Sequence, residues 1–267
     1  MSKLPTHMLL VADIGNSSIK FGVFDLNNCF EPICSFTVAN TSFKSSDEFE
    51  LIIRQMLLNK GYTGSLTCAA VASVAPSVTV SVIGAIRSIT GSDPFIIGSG
   101  IRTGFKIRID DPSEFGADMV SNVAAALEMV EAPLVVADLG TATTLAVVNT
   151  TRELIGSVII PGAGLSLEAL SNTAELLNNI TFKHPDKLIG TNTSDSITSG
   201  IINGNIYMID GFIRNIREQL CENGQKLSLI ATGGLNCAII PHCRNKFTII
   251  EDLTLSGVAL LYKKNKK

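Results

Sequence analysis

Two stretches of this chain set an acid, a glycine and small polar residues in the same order. The first is Asp13-Ile14-Gly15-Asn16-Ser17-Ser18; the second is Asp138-Leu139-Gly140-Thr141-Ala142-Thr143-Thr144. Each Asp ends an apolar run. A carboxylate at the end of a buried strand is costly unless something pairs with it. The glycine lets the backbone turn tightly, so that its N–H groups can face an anion. Asn16, Ser17 and Ser18 add neutral donors in one copy, and Thr141, Thr143 and Thr144 in the other. Lys20 brings a positive charge near the first. The set suits a nucleotide phosphate with a magnesium ion bridged to Asp13. A single D-x-G fits an Asx-capped hairpin turn at least as well. The two copies lie 125 residues apart, and paired hairpins gripping one nucleotide are a good reason to duplicate one.

A third acid stands in Gly116-Ala117-Asp118, where a loop enters a helical pattern. A carboxylate there can accept a hydroxyl proton as the hydroxyl attacks phosphorus. It can equally sit in the first turn of a helix and favour its dipole. Pro161-Gly162-Ala163-Gly164 and Thr232-Gly233-Gly234 each follow an apolar run. Both fit close backbone approach to a ligand, and both fit a tight turn without one. There is no G-x-x-x-x-G-K-[ST] and no H-R-D or D-F-G set, which excludes P-loop and protein-kinase chemistry. Cys237, His242 and Cys243 lack a second ligand pair at zinc-finger spacing. The six cysteines form no C-x-x-C pair and fit scattered, reduced thiols.

The elements that must position these residues repeat as well. In the first half, two strands flank the Asp13 turn. Ile33–Val38 then reads as a strand, Ser46–Asn59 as a helix with Ser46 as its N-cap, Ala69–Val74 as a buried strand, Ser77–Thr90 as a helix and Pro94–Ile97 as a strand. Arg108–Glu114 is polar and reads as a linker; Gly116–Val130 reads as a helix entering the second half. There, two strands flank the Asp138 turn. Glu153–Ile160 is a strand, Ser166–Leu177 a helix, Ser194 to Cys221 a long helix, Leu227–Ala231 a buried strand and Thr254–Tyr262 a last helix. The pattern predicts an α/β fold of two duplicated domains, residues 1–114 and 115–267, with the last helix free to pack back on the first.

Of the 267 residues, 46% are apolar and 17% charged, which excludes disorder. Basic residues number 21 against 24 acidic, so nothing suggests nucleic-acid binding. The basic tail Lys263, Lys264, Lys266 and Lys267 reads as a solvated end. No run reaches the ~18 apolar residues of a membrane helix, and the short run Met8–Ala12 is no signal peptide. No membrane association and a cytoplasmic location are expected.

Together these motifs resemble the type III pantothenate kinase family, within the actin, sugar kinase and Hsp70 superfamily. The opening D-x-G-N-[ST] is met by Asp13, Gly15, Asn16 and Ser17. P-x-E-x-G-A-D is met by Pro112, Glu114, Gly116, Ala117 and Asp118. D-x-G-T-A-T-T is met in full from Asp138 to Thr144. Gly156–Gly162 is similar to G-x-I-x-P-G with Val158 at the first Ile. Gly190, Asn192 and Thr193 meet G-x-N-T, and Thr232–Gly234 meets T-G-G. The resemblance implies two RNase H-like (actin-like ATPase) domains with an interdomain cleft, and transfer of a phosphoryl group from ATP to pantothenate, the entry step of coenzyme A synthesis. It implies Asp118 as general base and Asp13 for magnesium, with Asp138 near a monovalent cation, potassium or ammonium. Nucleotide binding would fall to Asp13, Gly15, Asn16, Ser17, Lys20, Thr141, Thr143, Thr144, Gly233 and Gly234. Pantothenate would meet Gly116, Ala117, Met119 and Thr193. A homodimer through the long helix is also implied.

Two positions depart from the family pattern. Its Arg after G-A-D is Met119, and its Tyr three residues before the motif's Pro is Ile109. Both fall on the substrate side. They leave open a second reading: a weakly active or non-catalytic nucleotide-binding relative with a regulatory or scaffold role.

Overall fold

The computed structural model describes residues 8–171, 182–221 and 224–266. Its elements run β1 (Met8–Ile14), β2 (Ser18–Asp25), β3 (Cys34–Ala39), α1 (Ser46–Asn59), β4 (Cys68–Ser73), α2 (Pro76–Thr90), β5 (Phe95–Ile96), β6 (Lys106–Ile107) and α3 (Ala117–Met129). The chain continues with β7 (Leu134–Leu139), β8 (Ala142–Val148), β9 (Glu153–Pro161), α4 (Ala163–Ser171), α5 (Thr193–Leu220), β10 (Ser228–Thr232), α6 (Asn236–Ile239), β11 (Thr248–Ile249) and α7 (Leu253–Asn265). Contacts divide it into two compact units. One holds residues up to Met129 together with Asp252–Lys267; the other is Val130–Glu251.

In the first unit the sheet order is β3-β2-β1-β4-β5. β1 pairs antiparallel with β2 and parallel with β4. Side chains alternate across a strand, so the apolar run of β1 serves two cores. Leu10, Ala12 and Ile14 meet Phe49 and Ile53 of α1 and Val82 and Ile86 of α2. Leu9 and Val11 face the other way, with Val120 and Ala124 of α3 and Leu255 and Val258 of α7. A strand covered on both faces reads as a continuous hydrophobic run. α3 and α7 pack closely: a Cβ at Gly257 would collide with the backbone of Ser121.

Five consecutive strands of the second, six-stranded sheet, β11-β10-β7-β8-β9, repeat this wiring. β7 and β8 are antiparallel, β8 and β9 antiparallel, and β7 and β10 parallel. Val135, Ala137 and Leu139 of β7 pack with Ile201, Ile202, Ile206, Ile209 and Ile213 of α5. That helix starts at Asn192, whose side chain accepts the Asp195 N–H at 2.9 Å. Duplicated strand order is what the repeated D-x-G pattern predicts, and the sheets are separate.

Four expectations change. The cap of α1 is Ser45, not Ser46: its hydroxyl accepts the Glu48 N–H at 3.3 Å while Glu48 accepts the Ser45 N–H at 2.7 Å, a capping box. The units divide after residue 129 rather than 114, because α3 buries Val120 and Ala124 against β1 and β4. The segment expected to link domains instead holds a short 3₁₀ turn at Pro112–Glu114. The helix expected over Ser166–Leu177 begins earlier, at Ala163, and its end past 171 lies outside the described residues.

Candidate active site

Asp13 is the penultimate residue of β1 and lies opposite Lys20 on β2. The turn between them closes with the Gly15 N–H donating to the Ser18 carbonyl at 3.0 Å. Asn16 and Ser17 are exposed at its tip. Asn40 fixes that tip: its side-chain amide donates to the carbonyls of Gly15 and Asn16, both at 3.1 Å. Lys20 Nζ lies 2.8 Å from Asp252 Oδ1, and Ser35 donates to Asp252 Oδ2 at 3.1 Å. The lysine expected to face phosphate is thus held from the head of α7. Neither Asn40 nor Asp252 carries a motif in the sequence; the one signal for Asp252 is an acid just before the last helical pattern.

Asp118 stands in the first turn of α3. Its Oδ1 accepts the Met119 N–H at 2.8 Å. The carboxylate folds over Gly116, where a Cβ would collide with it. That same Cβ position is 3.5 Å from Val74 Cγ1, and Val74 donates its N–H to the Ile14 carbonyl at 3.0 Å. Asp118 therefore sits beside the C-terminal ends of β1 and β4, the end at which Asp13 stands. Open α/β sheets bind ligands at this edge. Burial pushes the Asp118 carboxyl above its ordinary range, against the pull of the backbone N–H groups of Met119 and Asp118 itself. A raised carboxyl at a strand-end edge is suited to receive a proton.

A cavity of about 490 Å³ opens here, within the first unit. Its walls are the end of β4 at Ser73 and Val74, the loop from Ile97 to Ile101, Ile107, and the approach to α3 from Pro112 to Ala117. Gly116 and Ala117 are in its wall; Met119 is half-buried and is not.

In the second unit Asp138 lies opposite Thr144 on β8 and beside Thr232 on β10. Thr143 is buried, Thr144 half-buried and Thr141 exposed. The Gly140 N–H donates to the Ala142 carbonyl at 3.1 Å. Two loops press on this turn. A Cβ at Gly162 would strike the carbonyl of Thr141, and one at Gly233, whose φ is +96°, would meet the Leu139 backbone nitrogen at 2.5 Å. Gly234 faces open space. Asp138, Thr141, Thr143, Thr144, Gly233 and Gly234 thus gather at one sheet end. Thr193 opens α5, in this unit and not in the one that holds Gly116, Ala117 and Met119.

Carboxylate and hydroxyl oxygens suit hard cations. Among the described residues no group of three or more His, Cys, Asp or Glu can hold a metal unaided. No described helix is long and apolar enough to cross a membrane.

The family model for type III pantothenate kinase matches residues 9–215. The type III pantothenate kinase of Shouchella clausii is 38% identical over 259 residues, covering 97% of this chain and all of that one. Among solved structures, a putative Baf family transcriptional activator from Campylobacter jejuni matches with a TM-score of 0.58 at 18% identity, covering 96% of this chain and 98% of that one. A putative N-acetylmannosamine kinase from Listeria monocytogenes matches at 0.51 and 11% identity, over 97% and 100%. These two likenesses establish the duplicated actin-like ATPase fold. The regulatory or scaffold reading raised by Met119 and Ile109 gains nothing from the relatives. With the G-A-D acid at a strand-end cavity and relatives matched over their full length, the chain belongs to the type III pantothenate kinase family, enzymes that phosphorylate pantothenate with ATP on the way to coenzyme A.

Proposed function

We propose that Asp118 is the general base of this transfer. The observation that carries it is its position: a carboxylate raised by burial, folded over Gly116 at the wall of a cavity at the ends of β1 and β4. The acceptor's primary hydroxyl attacks the γ-phosphorus, its proton passes to Asp118, and the bond to the bridging oxygen of the leaving ADP breaks. Gly116 and Ala117 border the acceptor, with Met119 and Thr193 as further candidates. Asp13, Gly15, Asn16, Ser17 and Lys20 on one hairpin, and Thr141, Thr143, Thr144, Gly233 and Gly234 at the other sheet end, supply donors and backbone for the nucleotide. Asp13 would hold magnesium, which when bound neutralises phosphate charge. Asp138, with the hydroxyls of Thr144 and Thr232 in its row, suits potassium or ammonium. The protein acts as a cytoplasmic homodimer, without nucleic-acid or membrane partners. Exposed Tyr207 and Met208 on α5 favour a dimer contact there.

ADP release from ATP, magnesium, potassium and pantothenate measures the activity. Asp118→Asn should cut turnover by about 10²–10⁴-fold and leave calorimetric ATP binding nearly unchanged. Full activity in that variant would remove Asp118 from the mechanism. Asp13→Asn should instead weaken magnesium-dependent nucleotide binding, and replacing potassium with sodium should lower the rate.

A further inference from the structure

Asp252 occupies the N-cap of α7, yet its side chain makes no capping hydrogen bond there. A carboxylate in that place ordinarily accepts from the N–H groups of the first turn. This one reaches across to the first sheet instead. Its Oδ1 lies 2.8 Å from Lys20 Nζ, and its Oδ2 accepts the Ser35 hydroxyl at 3.1 Å. Asp252, Lys20 and Ser35 are all half-buried. The head of α7 has other anchors. Thr254 donates to the Asn122 side-chain oxygen at 2.8 Å, Ser256 donates to the Phe30 carbonyl at 2.7 Å, and Leu253 and Leu255 are fully buried.

Strand register shows what the diverted carboxylate can do. Lys20 lies directly opposite Asp13 across β1 and β2. Directly opposed residues of an antiparallel pair share a face, with Cβ atoms about 4.5–5.5 Å apart. Leu9 and Val11 put that face of β1 under α3 and α7. Gly22 lies next along the same face of β2, and a Cβ there would be 3.0 Å from Leu255 of α7. Two carboxylates, one from the neighbouring strand and one from the helix above, thus compete for one ammonium. Asp13 is the acid read above as the magnesium ligand, and a hard cation needs its charge. An ammonium resting wholly on Asp13 would neutralise that charge. Asp252 takes a share of the ammonium, and Ser35 fixes the direction in which it pulls. We propose that Asp252 is a positioning residue of the nucleotide site: it draws Lys20 off Asp13, so that one hairpin keeps both a carboxylate for magnesium and a lysine for phosphate. The proposal rests on the reading of Asp13 and Lys20 above and adds a residue that acts through Lys20.

The test titrates ADP into the full chain calorimetrically, over a range of magnesium concentrations and again with the metal chelated. Asp252→Asn keeps the shape of the side chain and removes its charge. A partly exposed ion pair shifts a binding constant by up to about five-fold. The variant should raise the magnesium concentration for half-maximal ADP binding by about three-fold or more. Its ADP affinity without magnesium should hold or improve, because Lys20 remains. A smaller rise, or an affinity that falls without magnesium as well, overturns the proposal; the second result is what a damaged fold would give. Lys20→Met removes the shared cation, and in that background Asp252→Asn should no longer move the magnesium midpoint by that much. A shift that persists there overturns the proposal. Lys20→Gln, polar and neutral, serves if Lys20→Met does not fold. If ADP fails to bind the wild type, or binds it alike with and without magnesium, the reading of Asp13 falls and the proposal with it. A wild type that responds to magnesium, beside an Asp252→Asn variant that responds equally, removes the proposal alone.

Discussion

Asp118 is placed where function and stability pull in opposite directions. Its carboxyl is raised by burial in the folded chain, so the fold binds that proton more tightly than the unfolded chain does. Stability then falls as pH rises from the ordinary carboxylate range through the raised value, and at neutral pH the ionised group is a net cost. Asp118→Asn should therefore melt at a higher temperature than wild type in a calorimetric scan at pH 7, while losing turnover. The acid limb of kcat/KM should fall above the pH at which a free aspartate titrates. Met119→Arg is the second test at this scale. If the new guanidinium reaches the acceptor, the pantothenate KM should drop by up to about a hundred-fold with the ATP constant little changed. The acids were legible because residue type and spacing mark them. Asn40 and Asp252 were not, since each matters through a partner distant in sequence: Asn40 at Gly15, and Asp252 at Lys20.

Elements were read well where one periodicity ruled. α1 spans the expected Ser46–Asn59, because Phe49, Ile53 and Leu57 recur at helical spacing on its buried face. Two-residue strands such as β5, β6 and β11 carry too little alternation to mark their limits. One close element contact was also unreadable. At Gly257 α7 meets the backbone of Ser121 on α3, and a glycine inside a helical pattern ordinarily signals weakness rather than close approach. Gly257→Ala should force the helices apart and cost about 1–3 kcal/mol, occasionally more, in denaturant melts. The same substitution at Gly234, which faces open space, should cost far less. Gly233→Ala should resemble Gly257→Ala, for a different reason: its φ of +96° and the Leu139 backbone both exclude a side chain.

At the scale of the whole chain, the duplication was plain from two D-x-G turns 125 residues apart. The dividing point was not, because α3 follows a polar stretch yet buries its apolar face in the first unit. That unit is discontinuous: α7 joins residues 8–129 and helps to build the core on one face of β1. Removing residues 252–267 would strip Leu253, Leu255, Val258, Ala259 and Leu261 from it. Such a truncation should leave β1 and α3 unprotected in hydrogen exchange, while a chain that kept α7 and lost only Lys266 and Lys267 should stay protected. Discontinuity also orders events during synthesis. Domains commonly fold in the order in which they leave the ribosome. Here residues 130–251 emerge complete while the first unit still waits for its closing helix, which follows them in the chain. The nascent chain must hold Leu9, Val11, Ala70 and Ala72 uncovered by α7 until that helix emerges, so the unit that starts first finishes after the one that follows it.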